Sequence, residues 1–254
     1  MFIEERYNHI LTLLEQNGKV LVKDLSKTFN VSESMIRKDL QLLEKKNLLQ
    51  RTYGGAISVN HKLVNIESFQ HRILKNQEIK HQIAQKSLAF IEEEDTIFLD
   101  ASTTSYMIAK SIIAQDLSLT LITNMTQIAS LIPTSSKVKF IFIGGDYNPL
   151  VGGCIGSYAI EQIKAYRCTK AFMGCGGIDL SDGTLSTPLS EDAATKKAIM
   201  GISKQLYLVT SNQKFETNCS YNFAHIMDVT QIITECTPSV SILSQLKEYN
   251  IPMG

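Results

Sequence analysis

Apolar positions fall into two rhythms along this chain. Over the first sixty residues they recur at helical spacing, whereas beyond residue 76 short extended runs alternate with helical ones. Ile3, Tyr7, Ile10, Leu11 and Leu14 stand at i, i+4, i+7, i+8 and i+11, which predicts an amphipathic helix stopped by Asn17-Gly18. Val22 to Phe29 predicts a short second helix with Leu25 and Phe29 one turn apart. The Asn30-Val31 turn follows, and the Ser32 hydroxyl is placed to cap a third helix by accepting from its orphan amides. Ile36, Leu40 and Leu43 line one face of that helix and leave Ser34, Arg37, Lys38 and Gln41 on the others. Leu48 to Tyr53 and Ala56 to Val59 flank Gly54-Gly55, a pair that permits the positive φ of a tight hairpin, so the segment predicts a two-stranded wing.

Residues 61–76 are polar with scattered apolar anchors, which predicts a semi-ordered connector or short helix between a module over 1–60 and a domain over 77–254. Ile79 to Ile91 has helical period. Thr96 to Asp100, Leu119 to Asn124 and Val138 to Gly145 are apolar runs that end in small or polar residues, with helical stretches Tyr106 to Gln115 and Met125 to Leu131 between them. That alternation predicts an α/β domain with a mainly parallel sheet. Phe140, Phe142, Phe172 and Met173 read as core. Gly144-Gly145 and Gly152-Gly153-x-x-Gly156 follow the third strand-like run rather than the first, so a dinucleotide loop is excluded and flexible backbone near a cleft is expected.

Composition narrows the class. The 254 residues are 44% hydrophobic and carry 25 Lys/Arg against 25 Asp/Glu, so the chain is no polycation. Residues 1–60 hold nine basic and seven acidic side chains, a weak electrostatic footprint, and the remainder is slightly acidic. No charged-then-apolar leader and no apolar run of about 18 residues is present, so a cytoplasmic chain with no membrane partner is expected. Five widely spaced cysteines without a C-x-x-C pair argue against structural zinc and a disulfide framework. His61, His71 and His81 recur every ten residues, which scatters them around any helix, so no metal site is expected.

The candidate chemistry sits at two places. On the third helix, Ser34, Arg37, Lys38 and Gln41 are donors able to reach phosphates and base edges in a major groove, with Arg51 of the wing near phosphate. In parallel sheets ligands bind beyond the carboxyl ends of the strands. There Asp100-Ala101-Ser102-Thr103-Thr104-Ser105 offers hydroxyls and free amides at a helix start, which suits either a phosphate cradle or plain helix capping.

The run NVSESMIRKDLQLLEKKNLLQRTYGGA resembles the signature of the DeoR family of bacterial repressors, roughly V-S-x-x-T-I-R-R-D-L followed by L-x-R-x-H-G-G-A. It departs at Met35 for Thr, Lys38 for Arg, Asn47 for Gly and Tyr53 for His, and the lost hydroxyl at Met35 alters one contact to operator DNA. The resemblance adds Ser32, Met35 and Tyr53 to the DNA-facing set. Farther on, FLDASTTS, TNMTQIA, FIGGDYN, KAFMGCGGIDLSDGTLSTP, EDAATKKAIM and LVTSNQKF resemble that family's sensor domain, itself similar in fold to ribose-phosphate and glucosamine-phosphate isomerases. The resemblance implies that Asp100, Ser102, Thr103 and Thr104 hold phosphate or sugar hydroxyls, that Asn124 lines the same cleft, and that Gly176, Gly177, Asp192, Lys196 and Lys214 complete it. Ser102 replaces a usual Gly, Ala194 a frequent carboxylate, and Ser211-Asn212-Gln213 a typical D-S-S. Without the resemblance, Lys196 and Lys197 read as a solvated helix face and Lys214 as a loop lysine.

The expectation is a winged helix-turn-helix followed by an α/β, sugar-phosphate-isomerase-like sensor domain. Its function would be to regulate transcription as a homodimer or homotetramer, repressing a carbohydrate operon. Its partners would be double-stranded operator DNA and a phosphorylated sugar, with no cofactor. The alternatives are a sugar-phosphate isomerase or deaminase with an accessory module, for which Asp100 and Asp192 are thin candidates with no histidine from residue 82 to 224, and an adaptor that binds only protein.

Overall fold

The computed structural model describes residues 3–17, 19–46, 48–52, 54–58 and 67–254. The chain divides into two compact units, Met1–Asn65 and Ile66–Gly254.

In the first unit α1 (Ile3–Asn17), β1 (Lys19–Leu21), α2 (Val22–Phe29), α3 (Glu33–Lys45), β2 (Leu49–Thr52) and β3 (Gly55–Ser58) follow in order. The predicted stripes close one core: Ile10 and Leu14 of α1, Leu25 and Phe29 of α2, and Ile36, Leu40 and Leu43 of α3 are all buried. Asn30 takes the left-handed conformation at the end of α2, and Ser32 Oγ accepts from the Met35 amide at 3.3 Å to cap α3. The wing has three strands rather than two, because β1 pairs antiparallel with β3 on the side away from β2. That third strand explains Gly55, since a Cβ there would lie 2.1 Å from the Val20 carbonyl oxygen, while Gly54 supplies the positive φ of the turn. An ion pair missed in the sequence locks α1 to α3: the buried Arg6 guanidinium donates Nε to Asp39 Oδ2 at 2.6 Å and Nη2 to Oδ1 at 3.1 Å. Bidentate geometry of this kind compensates two charges withdrawn from water.

The second unit opens with α4 (Phe69–Leu74) and α5 (Gln77–Leu88). It continues through β4 (Thr96–Leu99), α6 (Thr103–Ala114), β5 (Thr120–Thr123), α7 (Thr126–Ala129), β6 (Lys139–Phe142), β7 (Asp146–Asn148), β8 (Gly153–Ile155) and α8 (Ser157–Lys164). Then come β9 (Cys168–Met173), β10 (Gly177–Asp179), β11 (Thr184–Thr187), α9 (Ser190–Ile202) and β12 (Ser203–Val209). A 3-10 turn (Asn212–Glu216), β13 (Tyr221–His225), β14 (Gln231–Ile233) and α10 (Val240–Tyr249) complete it. Six strands form one sheet in the order β14-β12-β9-β4-β5-β6, every adjacent pair parallel. Helices cover both faces, which is why Ile97, Phe98, Leu99, Ala171, Phe172 and Met173 are consecutive buried residues rather than an alternation. β6 is one of the two edge strands, and on it Phe140 is only half-buried and Phe142 is 38% exposed, against the core reading of both. A smaller antiparallel sheet, β10-β11-β13, and the β7-β8 hairpin border the carboxyl ends of the strands.

Buried ion pairs stand at both ends of the central strands. At the amino end Lys170 of β9 meets Asp95, just before β4, at 2.7 Å; at the carboxyl end Lys196 of α9 meets Asp100, just after β4.

Candidate functional sites

On α3 the stripe that fills the core leaves Ser32, Ser34, Met35, Arg37, Lys38 and Gln41 exposed. Met35 sits among the donors as a large apolar side chain, 45% exposed. Arg37 is tethered to Glu33 one turn earlier at 2.8 Å, and Arg51 of β2 to Glu44 of α3 at 2.9 Å. All four side chains are solvated, so these pairs hold their arginines weakly, and a phosphate displaces the carboxylate at little cost. Tyr53 lies outside the described residues.

The second site lies beyond the carboxyl ends of β4, β5 and β9. Asp100 is 1% exposed, and both its oxygens are taken. Oδ1 accepts from Ser105 Oγ at 2.6 Å, and Oδ2 accepts from the Gly174 amide at 2.9 Å and from Lys196 Nζ. Asp100 therefore braces the cleft floor rather than offering a free oxygen to a sugar hydroxyl. Ser102 Oγ accepts from the Ser105 amide at 3.1 Å, so Ser102 caps α6. The amides of Thr103 and Thr104 remain at the open first turn of that helix, where intrahelical partners do not exist, with the Thr103 side chain buried and Thr104 half-buried.

Lys196 departs most from the solvated-face reading, being 5% exposed. Besides Asp100 it donates to the Gly174 carbonyl at 3.0 Å and lies 5.5 Å from the Phe223 ring centre. Burial alone would lower its pKa, but the charges of Asp100 and Asp192 raise it. Asp192, one turn earlier on α9, accepts from Thr187 Oγ1. Asn124 is 1% exposed, donates Nδ2 to the Cys154 carbonyl at 2.8 Å, and among the described residues its Oδ1 has no hydrogen-bond partner. A buried acceptor left so costs about 1 to 3 kcal/mol, which a ligand hydroxyl or a water would relieve.

Gly152, Gly153, Gly176 and Gly177 are close-packing positions, whereas Gly144 and Gly156 have room for a Cβ. A Cβ on Gly152 would meet Phe69 at 2.5 Å, on Gly153 Ala101 at 2.6 Å, on Gly176 Cys219 Sγ at 2.5 Å, and on Gly177 the Thr217 carbonyl at 2.0 Å. Lys214 is half-buried on the 3-10 turn, and among the described residues its ammonium has no ion-pair or hydrogen-bond partner. Among those residues no group of three or more His, Cys, Asp or Glu is arranged to hold a metal, and no helix is long and apolar enough to cross a membrane.

Two residues of the polar stretch read as connector belong here as well. Phe69 packs edge-on against Tyr106 in the first turn of α6, with ring centres 6.3 Å apart, which seats α4 beside the cleft. Arg72, one turn along, donates to the Leu150 and Val151 carbonyls, each at 2.9 Å. Its pKa is lowered by burial against the attraction of Asp192 and Asp100. Lys80 of α5 donates to the Arg72 and Lys75 carbonyls. The faint signal for both was the spacing of Phe69 and Ile73 around Arg72, which marks a helix with one buried side.

Comparison with known proteins gives a match in each unit. Residues 6–62 match the DeoR-like helix-turn-helix domain and residues 75–236 the DeoR C terminal sensor domain. The glycerol-3-phosphate regulon repressor of Escherichia coli (strain K12) is 30% identical over 98% of this chain and 97% of its own length. The transcriptional repressor GlcR of Bacillus subtilis (strain 168) is 28% identical over 100% and 96%. The L-fucose operon activator of Haemophilus influenzae is 31% identical over 89% of each. Among solved structures, ribose 5-phosphate isomerase A from Methanocaldococcus jannaschii covers 53% of this chain and 52% of its own at 12% identity and a TM-score of 0.38.

Proposed function

The chain belongs to the DeoR family of transcriptional regulators, and on that footing we propose that it represses a carbohydrate-metabolism operon and is released by a phosphorylated sugar or related metabolite. The observation that carries the reading is the state of α3. Its apolar stripe is sealed into its own unit while Ser34, Arg37, Lys38 and Gln41 stand free in solvent on a capped helix beside a wing. A helix so presented enters a major groove, its long donors reaching phosphates and base edges. Two such helices read two half-sites, so the working unit is at least a homodimer.

The effector part draws support from the cleft beyond β4, β5 and β9. Thr103 and Thr104 amides, the free Asn124 Oδ1 and the Lys214 ammonium provide two donor groups, an acceptor and a cation, the complement of a phosphate joined to a hydroxylated chain. A ligand bound there weakens operator affinity by the difference in its own affinity for the free and DNA-bound arrangements. Catalysis is disfavoured, because the two carboxylates that would act as a base, Asp100 and Asp192, are already engaged by Lys196 and Thr187.

The test has two arms on the intact chain. Titration with DNA from its own upstream region is expected to give specific binding that weakens steeply with salt through counterion release. A thermal-shift screen is expected to find a phosphorylated sugar that raises the melting temperature where the free sugar does not. Absence of any salt-sensitive specific complex contradicts the first half of the proposal, and a stabilising free sugar contradicts the second.

A further inference from the structure

The geometry points to Arg72, Lys80 and Lys214 as the anion-binding end of the effector cleft, built to take one phosphate-monoester dianion. Neither Arg72 nor Lys80 stood out in the sequence: Arg72 falls in the stretch that reads as a connector, and Lys80 on the helical run Ile79 to Ile91. For its natural ligand this assignment rests on the effector reading above.

Three elements bring the cations together. The α4–α5 turn is held to the 3-10 turn by Asn76 Nδ2, which donates to Gln213 Oε1 at 3.4 Å, and Gln213 precedes Lys214. Lys80 lies in the first turn of α5, where the positive end of the helix dipole opposes a cation unless an anion is near. Its ammonium closes over the end of α4 by donating to the Arg72 and Lys75 carbonyls. Arg72 spends Nε on the Glu67 carbonyl at 3.2 Å and Nη2 on Leu150 and Val151. Among the described residues its Nη1 has no acceptor, one Lys80 proton is unspent, and Lys214 Nζ has no partner.

No carboxylate among the described residues lies within 4 Å of any of the three, although Arg72 and Lys80 are half-buried. Half-buried charges without a counter-ion are costly to keep, so such a group is usually kept for a ligand. The carboxylates whose charges act on Arg72 are Asp192, Asp100 and Glu67, and Glu67 is already paired with Lys75. Setting Asp100 and Asp192 against Arg72, Lys80, Lys196 and Lys214 leaves two positive charges over. That excess balances the two negative charges of a phosphate monoester above its second pKa of about 6.

The charged groups facing Lys80 are Arg72 from α4 and Lys214 from the 3-10 turn, both cationic, and desolvation together with these neighbours pulls its pKa down to about 8. An incoming dianion favours the charged form, so binding takes up a proton near that pH. Affinity for phosphate is therefore highest between the ligand's own second pKa, about 6 for a monoester, and the Lys80 value, and it falls as pH rises through about 8.

The direct probe is inorganic phosphate titrated calorimetrically into the full chain, beside Lys80→Gln, Lys80→Arg and Lys214→Gln. Lys80→Gln and Lys214→Gln are each expected to weaken phosphate about tenfold or more, the worth of one charge-assisted hydrogen bond. Lys80→Arg is expected to keep binding and to lose the decline near pH 8, because arginine does not titrate there. Should Lys80→Gln fail to fold, Lys214→Gln carries the same comparison from a solvent-accessible turn. Phosphate binding unchanged in the glutamine variants, or independent of pH through that range in the wild type, overturns the assignment. If phosphate binds as stated while no phosphorylated sugar alters operator affinity, the anion site stands and the effector reading falls. If a phosphorylated sugar releases DNA from Lys80→Gln as readily as from the wild type, the effector reading stands and this site falls.

Discussion

Replacing Lys196 with methionine is expected to destabilise the α/β unit by about 3 to 5 kcal/mol, the scale at which removing one member of a buried ion pair strands the other. Asp100 is the stranded partner, 1% exposed, with Ser105 and the Gly174 amide too few to hold a full negative charge. Asp100→Asn is expected to cost a comparable amount by stranding Lys196 over Gly174 and Phe223. The double variant is expected to be less harmed than the two losses added, because each single change breaks the same contact. With no tryptophan in the chain, urea unfolding is best followed by tyrosine fluorescence and near-ultraviolet circular dichroism. The sign with pH follows from the raised Lys196 pKa: the pair's stabilisation is complete below the ordinary lysine value of 10.5 and is lost only as pH climbs through the higher folded value. Two small, additive losses would mean that the pair is solvated and does not brace the cleft.

The second large effect belongs to α3. Arg37→Ala combined with Lys38→Ala is expected to weaken operator binding by about 100-fold or more, since two charged contacts to phosphate or base edges contribute roughly 1 to 3 kcal/mol each. The slope of log affinity against log salt is expected to flatten by about 0.9 for each lost phosphate contact. Folding should be almost untouched, because both side chains are exposed and the Arg37–Glu33 pair is solvated. Measured by fluorescence anisotropy over a salt series, a double variant that binds like the wild type would remove α3 as the reading element.

The parts of this molecule legible in its sequence are those fixed by neighbours close along the chain. Ser32 capping α3, the left-handed Asn30, the Gly54 turn and the stripes of α1, α2 and α3 each follow from residues within a turn or two. So do the carboxyl-end loops where Asp100 and Asn124 sit, because a buried strand must end in polar residues before its helix can begin. What escaped depends on partners far away. β1 is only three residues long and exists because β3 offers it an edge. Phe142 has a core residue's character but lies on the outermost strand. Lys196 shares a face with Asp192 and the core residue Ile199, a clue to its burial, yet only Asp100, 96 positions away, makes that burial tolerable. Arg72 was hidden in a polar stretch whose composition says linker, and nothing in the helical run after it set Lys80 apart. The contact of Phe69 with Tyr106 turns that stretch into part of a site.

The central claim is that one chain couples a DNA-reading helix to an anion-holding cleft, and reciprocity tests it most directly. Operator affinity is to be measured with and without a saturating phosphorylated sugar found by the thermal screen, and the affinity for that sugar with and without saturating operator. Linked sites must change one another by the same factor, typically about 5 to 150-fold. The account predicts equal weakening in both directions, with each factor reduced in Lys80→Gln. Operator affinity that stays constant across the full ligand titration, with the ligand demonstrably bound, would contradict it.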